Sequence, residues 1–349
     1  MSKSFSLLCS ATLLLTISSA ILVFPLDQDS SGLKIHPSEN YPRWLKNDRY
    51  RTSQTSGITF LRITEDCSQE FLLADDIGKI HRLFIQDDTL FSFSEIKFSD
   101  GVKHYLSDFP KLDFEEIFYD KFTGEVYLTI EGNGENHLSY HGIYRLEFKD
   151  DNIFQDSVVA LEKLLLKPEE IFYNNLLPNI GYEGFTADEN YFYLGLENEQ
   201  ISEGNFSGQT IIRIADKNSL AIVKEISTEN IDISTICGLY SDENFSFWGI
   251  DRNHRKVFKL LFDEYFNIVD LTFFEIKTLI PQYNHFEYIG SLESITFTSE
   301  KFLFLVDDPW STFFIPPNEI LEKLNESTIN NFKNFIPVIY KFELNKHKE

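Results

Sequence analysis

A short module of apolar strands occurs five times along the chain, and this repeat constrains the fold more than any other feature. In each copy the second strand ends in a carboxylate and the third strand has the pattern apolar-x-[Lys/Arg]-apolar. The second strands end at Asp75, Glu131, Glu197, Asp251 and Asp307, at intervals of 56, 66, 54 and 56 residues. The third strands cover residues 80–83, 143–146, 211–214, 257–260 and 339–342. A repeat of this length made of short strands predicts an all-β fold, the β-propeller.

Four of the modules are followed by a fourth apolar strand, near residues 90–98, 158–166, 221–226 and 268–280. We therefore expect five four-stranded blades, or six if a divergent blade departs from the pattern. The fifth module lacks a fourth strand, and residues 33–36 are the candidate to close it from the N-terminal side. The predicted propeller domain is 57–349, preceded by an N-terminal segment at 21–56. One amphipathic helix is expected near 318–335, inserted in the last module between flanking prolines.

The first twenty residues have the pattern of a secretory signal peptide. A basic start at Lys3 leads into an apolar stretch, which ends at the small residues Ser18, Ser19 and Ala20. We expect cleavage after residue 20 and an exported protein, secreted or periplasmic, with no membrane span after cleavage. An uncleaved N-terminal anchor is the alternative, because the apolar run continues to Phe24.

The charge balance restricts the possible partners. The chain has 31 Lys and Arg against 55 Asp and Glu, a formal net charge of -24. Such a field repels phosphate backbones, so we expect no nucleic-acid partner. We expect a monomer that binds a small anionic molecule or an envelope or extracellular ligand. The spacing of Cys67 and Cys237 leaves open whether these two cysteines form a disulfide.

Carboxylates recur where neighbouring strand ends should meet. In an antiparallel hairpin the start of the first strand lies beside the end of the second, and in a propeller these ends converge on one mouth of the central channel. The predicted set is Glu116, Glu183 and Glu293 on inner strands, with Asp75, Glu131, Glu197, Asp251 and Asp307 on second strands. Crowded acids need a cation, and Ca²⁺ prefers several oxygen ligands. The pattern predicts a calcium site, the alternative being acids in solvated turns.

The fourth module departs from the others, with Cys237 at the inner position and Arg252 after the second strand. A guanidinium beside a bound cation suits an anionic oxygen of a substrate, although Arg252 could instead pair with a neighbouring acid. His254 is a candidate proton donor or acceptor. Residues 309–336 form an insertion that we expect either to cover the site, with Trp310 against the substrate, or only to cover blade edges.

Four pieces of sequence carry a family resemblance. They are Phe-Glu-Glu-Ile at 114–117 with 127–131, Gly-Tyr-Glu-Gly-Phe at 181–185 with 194–197, Trp-Gly-Ile-Asp-Arg at 248–252, and Leu-Glu-Ser-Ile at 292–295 with 305–308. Through them the chain resembles the esterase-like phytase propellers and the related SdiA-regulated propeller proteins. Through Ala-Asp-Asp-Ile-Gly-Lys-Ile at 74–80 it is also similar to the calcium-activated nucleotidases. Both resemblances imply an exported propeller, calcium, and phosphoester hydrolysis.

Two functions from different classes follow. The first is a calcium-dependent, phytase-like hydrolase of a phosphorylated or otherwise anionic small molecule, in which the ion polarises the scissile bond and Arg252 assists. The second is a non-catalytic propeller that binds a protein or another ligand at the same mouth.

Overall fold

The computed structural model describes residues 33–202, 204–242, 245–299 and 301–344. The predicted signal peptide at 1–20 lies outside these residues. Two short strands come first, β1 (Leu33–Ile35) and β2 (Arg43–Trp44). The first module contains β3 (Thr55–Ile63), β4 (Gln69–Asp75), β5 (Lys79–Gln86) and β6 (Leu90–Phe98), followed by α1 (Asp100–Leu106). The second contains β7 (Asp113–Asp120), β8 (Glu125–Glu131), α2 (His137–Tyr140), β9 (Gly142–Phe148) and β10 (Ser157–Lys163), followed by α3 (Glu169–Phe172).

The remaining elements repeat this arrangement. The third module contains β11 (Tyr182–Ala187), β12 (Tyr191–Leu196), the hairpin β13 (Gln200–Ser202) and β14 (Asn205–Phe206), then β15 (Ile211–Asp216) and β16 (Ile222–Ser227). The fourth contains β17 (Gly238–Ser241), β18 (Ser246–Asp251), β19 (Lys256–Phe262) and β20 (Ile268–Ile276), followed by β21 (Leu279–Ile280) and β22 (Tyr283–Glu287). The fifth contains β23 (Leu292–Phe297), β24 (Phe302–Asp307), α4 (Asn318–Leu321), α5 (Glu326–Lys333) and β25 (Val338–Glu343).

Within each module the strands pair as an antiparallel meander, from the inner strand outward. The first two modules are also joined through their outer strands, because β6 and β10 pair in parallel at Lys97 and Ser157. Second strands such as β4 are buried throughout, whereas outer strands such as β6 are largely half-buried or exposed. This gradient is the one expected when sheets pack face to face around an axis.

The first strands of the modules form a ring. Among the described residues β3 contacts β7, β7 contacts β11, β11 contacts β17, β17 contacts β23, and β23 contacts β3. Hydrogen bonds from backbone N–H groups to hydroxyl side chains link neighbouring inner strands. The Ile58 N–H donates to Ser294 Oγ at 3.0 Å, and the Tyr119 N–H donates to Thr59 Oγ1 at 3.0 Å. The strands therefore satisfy backbone donors that lie outside the meander pairing.

The N-terminal closure differs from the prediction. Strand β1, within the predicted 33–36, pairs in parallel with β20 of the fourth module. It is β2 that pairs with β25 of the fifth module, Arg43 opposite Ile339. The reason is apolar burial: Tyr41, Trp44 and Leu45 are all buried, whereas Leu33 is exposed. The segment that can bury the larger side chains occupies the edge of the last module.

The predicted single helix at 318–335 is two helices, α4 and α5. The Asn325 side chain accepts a hydrogen bond from the Thr328 N–H at 2.8 Å and so begins a new helix at Glu326. Leu324 and Phe332 are buried, and the Phe332 ring packs edge-on against Trp44 at 4.9 Å between ring centroids. In the described part of the chain no helix is long and apolar enough to cross a membrane.

Candidate metal centre at one mouth of the channel

Bulges at the start of the inner strands set the geometry of this mouth. The register of β11 shifts between Tyr182 and Gly184, and that of β23 shifts between Leu292 and Ser294. Glu183 and Glu293 are the extra residues at these bulges. A bulged residue is released from the ladder and its side chain is re-aimed. Both carboxylates therefore lie at the start of an inner strand, close to acids contributed by other modules.

The second module contributes Glu115 here, one residue before the predicted Glu116. Its shift falls between Phe114 and Ile117. When the modules are aligned by the apolar residues on either side, Glu115 occupies the position of Glu183, and Glu116 occupies the position of Gly184. The Glu116 carboxylate binds to Ser294, whose hydroxyl proton is shared between its two oxygens at 2.7 and 2.9 Å. Glu116 therefore lies in the ring of inner strands, apart from the other acids.

Carboxylates from several modules come together at the mouth. Three groups have one ligand atom per residue, all within 4.8 Å of one another: Glu131 with Glu183 and Glu197, Asp113 with Glu115 and Glu131, and Glu183 with Cys237 and Glu293. Because Glu131 and Glu183 each belong to two groups, the three form one continuous acidic cluster. Four of the eight predicted ligands belong to it, namely Glu131, Glu183, Glu197 and Glu293.

Burial disfavours the charged form of the carboxylates in this cluster. It raises the pKa of Glu115, Glu131 and Glu183 well above the usual range, and the neighbouring carboxylates raise it further. Burial also raises the pKa of Glu197, although the Arg252 guanidinium acts in the opposite direction. Glu131 Oε1 and Glu183 Oε2 are buried and accept no hydrogen bond within the described residues. Buried polar atoms without partners are rare and point to a missing ligand.

Arg252 is a buried cation inside the cluster. Its guanidinium donates to Glu197 Oε1 and to Glu293 Oε2, each at 2.6 Å, and its Nη2 lies 3.7 Å from Glu183 Oε2. The predicted alternative, in which Arg252 pairs with neighbouring acids, describes these contacts. Cys237 is buried beside it, and Cys67 and Cys237 are both free, so the sequence question about a disulfide is answered.

The three aspartates predicted as ligands at second-strand ends are held within their own modules. Asp75 accepts from Thr55 Oγ1 at 2.7 Å and from the Ser53 N–H at 3.1 Å. Asp251 accepts from the Ser234 N–H and Oγ, both at 3.1 Å. Asp307 accepts from the Ser291 N–H at 2.6 Å and from the Tyr288 hydroxyl. These buried carboxylates are neither in the cluster nor in solvated turns. Each holds the end of its second strand to the segment around the start of the inner strand by hydrogen bonds.

His254 and Trp310 lie outside the cluster's contacts. His254 is partly exposed, and its Nδ1 lies 2.8 Å from Asp251 Oδ2, so it is bonded to one of the three aspartates at the second-strand ends. Trp310 is half-exposed, and its ring contacts Phe314 at 5.4 Å between centroids. Among the described residues neither side chain makes a hydrogen bond or an ion pair with the cluster acids.

Four further acids at this mouth were not predicted from the sequence: Asp113, Glu115, Asp76 and Asp308. Lys111 forms an ion pair with Asp113 and lies 3.6 Å from Asp76 Oδ2. Asp76 Oδ1 and Asp308 Oδ1 are buried without a hydrogen-bond partner among the described residues. For Asp76 and Asp308 the sequence did contain a signal, because each follows another aspartate directly. Side chains alternate along a strand, so the second acid of such a pair points away from the first.

Comparison with known proteins gives a fold likeness. No protein-family model and no curated protein matches the chain. Regucalcin from Agrobacterium tumefaciens, a calcium-binding protein, is 12% identical with a TM-score of 0.45, over 89% of this chain and 95% of that one. PQQ-bound aldose sugar dehydrogenase from Streptomyces coelicolor is 10% identical with a TM-score of 0.43, over 88% and 99%. A WD40 β-propeller domain is 8% identical with a TM-score of 0.40, over 88% and 98%.

The strand order of this chain and the cyclic contacts of its inner strands define a β-propeller. The chain is thus a β-propeller protein with a buried acidic cluster at one mouth of its channel.

Proposed function

We propose that this protein is a five-bladed propeller that binds Ca²⁺ through Glu131, Glu183 and Glu197, and that the ion holds a phosphorylated or otherwise anionic small molecule. The observation that carries the proposal is a pair of buried oxygens that accept no hydrogen bond within the described residues, Glu131 Oε1 and Glu183 Oε2. The second of them has the Arg252 guanidinium 3.7 Å away. Calcium–oxygen distances are about 2.3–2.6 Å, so two ligands on opposite sides of an ion lie up to about 5 Å apart. Ligand atoms within 4.8 Å of one another fit that limit.

The other two groups suit calcium less well. Asp113 is already neutralised by Lys111 and accepts from Asn133 Nδ2 at 2.8 Å. The third group includes Cys237, whose pKa burial raises well above its usual value, so it stays a neutral thiol. A thiol is a poor ligand for a hard cation. The group of three glutamates has the oxygen donors and the unsatisfied lone pairs.

The chemistry of the mouth follows from these residues. A calcium ion there would neutralise the crowded carboxylates and polarise an anionic oxygen of a bound molecule. Arg252, which already contacts Glu197 and Glu293, would lie beside that oxygen and could donate to it. Phosphoester hydrolysis is the reaction that this arrangement favours, with a cluster carboxylate accepting a proton from water. The proposal takes this activity to be outside the cell, as the signal pattern at 1–20 predicts, and the protein to be a monomer.

Non-catalytic binding at the same mouth is the second candidate. The contacts of Arg252 and His254 favour it: Arg252 is held by two glutamates, and His254 is bonded to Asp251 and not to the cluster. Under this alternative the ion and the anion bind, and the ligand leaves unchanged.

Calorimetric titration of chelator-treated protein with calcium, followed by a phosphate-release assay on a panel of phosphorylated small molecules, tests both candidates. Calcium binding with calcium-dependent phosphate release supports the hydrolase. Calcium binding with calcium-dependent retention of an anion, and no release, supports the binding protein. Absence of calcium binding overturns the site.

A further inference from the structure

A hydrogen-bonded chain of three side chains joins the segment before β3 to the first module. The Tyr50 phenol oxygen lies 2.6 Å from His81 Nδ1, and His81 Nε2 lies 2.7 Å from Asp75 Oδ2. Because a carboxylate only accepts, the ring hydrogen is assigned to Nε2, and the neutral ring accepts from the phenol at Nδ1. Among the described residues, none of these three belongs to the cluster of acids at the mouth.

The histidine and the aspartate are held in place by their surroundings. His81 lies on β5 and is buried, so water does not compete for its ring nitrogens. Asp75, at the end of β4, also accepts from Thr55 Oγ1 at 2.7 Å and from the Ser53 N–H at 3.1 Å. A carboxylate fixed in this way holds the imidazole in one tautomer and orientation, and it stabilises the imidazolium that forms when the ring accepts a proton.

The phenol at the other end of the chain keeps its proton in the resting protein. Burial raises the pKa of Tyr50 to about 12, and the carboxylates of Glu95 and Asp75 act in the same direction. Negative charge nearby disfavours a phenolate, but it favours the loss of an electron from the ring and a positive charge on the imidazole. The Tyr50 ring is half-buried and stacks on Phe93 at 5.4 Å between centroids, so its position relative to His81 is fixed.

Tyrosines elsewhere in the fold bond to a weaker base or to none. The phenols of Tyr127 and Tyr193 donate to carboxylates, those of Glu125 and Asp188. A carboxylate is a weaker base than an imidazole by about two pKa units in model peptides. Tyr265 is 68% exposed, and its phenol makes no hydrogen bond within the described residues. The tyrosine with the strongest positioned base among these is therefore not the most accessible one.

We propose that Tyr50 is a redox-active side chain, the position at which this protein gives one electron to an outer-sphere, one-electron oxidant. The electron leaves the ring, the phenolic O–H bond breaks, and the proton passes to His81 Nδ1, where an N–H bond forms. The products are a neutral tyrosyl radical, an imidazolium bonded to Asp75, and the reduced oxidant. The step uses no residue of the acidic cluster, so it does not depend on calcium.

The test oxidises the protein with photogenerated tris(bipyridine)ruthenium(III) in the presence of chelator. Transient absorption measures the rate of tyrosyl-radical formation, and a nitroso spin trap followed by peptide mass spectrometry identifies the residue. Wild type should carry the trap at Tyr50 ahead of Tyr265. Tyr50→Phe keeps the stacked ring and should lose this label. His81→Gln keeps a hydrogen-bonding side chain but removes the base, so it should slow radical formation at Tyr50 about 100-fold, the lower range for a positioned base.

Tyr265→Phe is the matched control, because it removes an exposed phenol that has no base, and it should leave the rate at Tyr50 unchanged. Wild type should also react more slowly in heavy water, because the phenolic proton moves with the electron, and this measurement requires no variant to fold. The proposal is overturned if the label follows exposure, with Tyr265 first, if heavy water leaves the wild-type rate unchanged, or if folded His81→Gln reacts as fast as wild type. Thermal melts establish which variants are folded.

Discussion

The two mouths of the channel are built from opposite ends of the same five strands, yet they carry opposite chemistry. At the starts of the strands, bulges release Glu183 and Glu293 toward the axis. At the far ends of β17 and β23 the pairing is regular, and the half-buried rings of Tyr240 and Phe297 line a cavity there. The comparison teaches that a shared strand pattern fixes where side chains converge, whereas a one-residue bulge decides which side chains do so.

Glu116 adds a further contact to the ring of inner strands, between the two mouths. Its two carboxylate oxygens share the proton of the Ser294 hydroxyl, at 2.7 and 2.9 Å, and it also accepts from the Ile117 N–H at 3.1 Å. Gly57 makes this possible, because a Cβ there would lie only 2.5 Å from the Glu115 carbonyl oxygen. Strands β3 and β7 approach so closely there that the position is restricted to glycine.

The largest expected effect is at Arg252, which neutralises the acidic mouth. Arg252→Ala should lower the free energy of unfolding by about 3–5 kcal/mol in the presence of chelator, because it leaves buried carboxylates without a cation. Urea denaturation measures the loss, and calcium should restore part of it.

Arg145→Ala is the control for that experiment. Arg145 also donates to two carboxylates, Glu125 and Glu162, and lies 3.7 Å from a third, Glu147, but its side chain is 35% exposed. We expect a loss of about 1 kcal/mol or less. Equal losses for the two variants would mean that removing a cation from the acidic mouth destabilises the fold no more than removing one from the surface.

A second prediction separates the acids of the mouth from the acid within the ring. Glu131→Gln should weaken calcium binding on the order of 10- to 100-fold, a loss that even supporting groups cause at metal sites. Glu116→Gln changes an equally buried carboxylate outside the cluster and should leave calcium affinity unchanged. Calorimetry on both variants gives the ratio, and a ratio near one would contradict the assignment.

The pH dependence of stability is a third test. Burial raises the pKa of Asp76 and of Asp307 from 3.8 to about 7. Between these values the folded chain holds protons that the unfolded chain has lost, so stability falls as pH rises from about 4 to 7. Melting temperatures in chelator should show this fall, calcium should reduce it, and Asp307→Asn should flatten it. Stability that rises with pH in chelator would argue against buried, protonated acids.

The smallest expected effect is at the aromatic mouth. Ser241→Ala removes a hydroxyl that has no partner in the described structure, so the free energy of unfolding should change by less than about 0.5 kcal/mol. Thr59→Val should cost about 1–3 kcal/mol, because the Tyr119 N–H would lose its acceptor. Chemical denaturation of both variants measures the difference. A large loss at Ser241 would show that its hydroxyl is structural.

The strand repeat could be predicted from sequence because its signal is local. The predicted third strands lie within β5, β9, β15, β19 and β25, and the outer strand predicted at 90–98 is β6. The pairing of the N-terminal strands could not be predicted, because it depends on burial against residues more than 200 positions away in the chain. Strand β1 pairs at Phe274, and β2 pairs at Ile339.

Half of the predicted acids fell in the cluster, and among the acids at second-strand ends side-chain length separates those inside the cluster from those outside it. Asp75, Asp251 and Asp307 are short and accept from serine N–H groups close before their own inner strands. Glu131 and Glu197 are longer by one methylene and reach the cluster. Glu115 was missed because a bulge changes the phase by one residue, which no periodicity reveals.

The most direct test is diffraction from crystals soaked in terbium, which replaces calcium and scatters anomalously. The proposal predicts an anomalous peak about 2.3–2.6 Å from oxygens of Glu131, Glu183 and Glu197. Absence of a peak there, with Arg252 still bonded to Glu197 and Glu293, would contradict it.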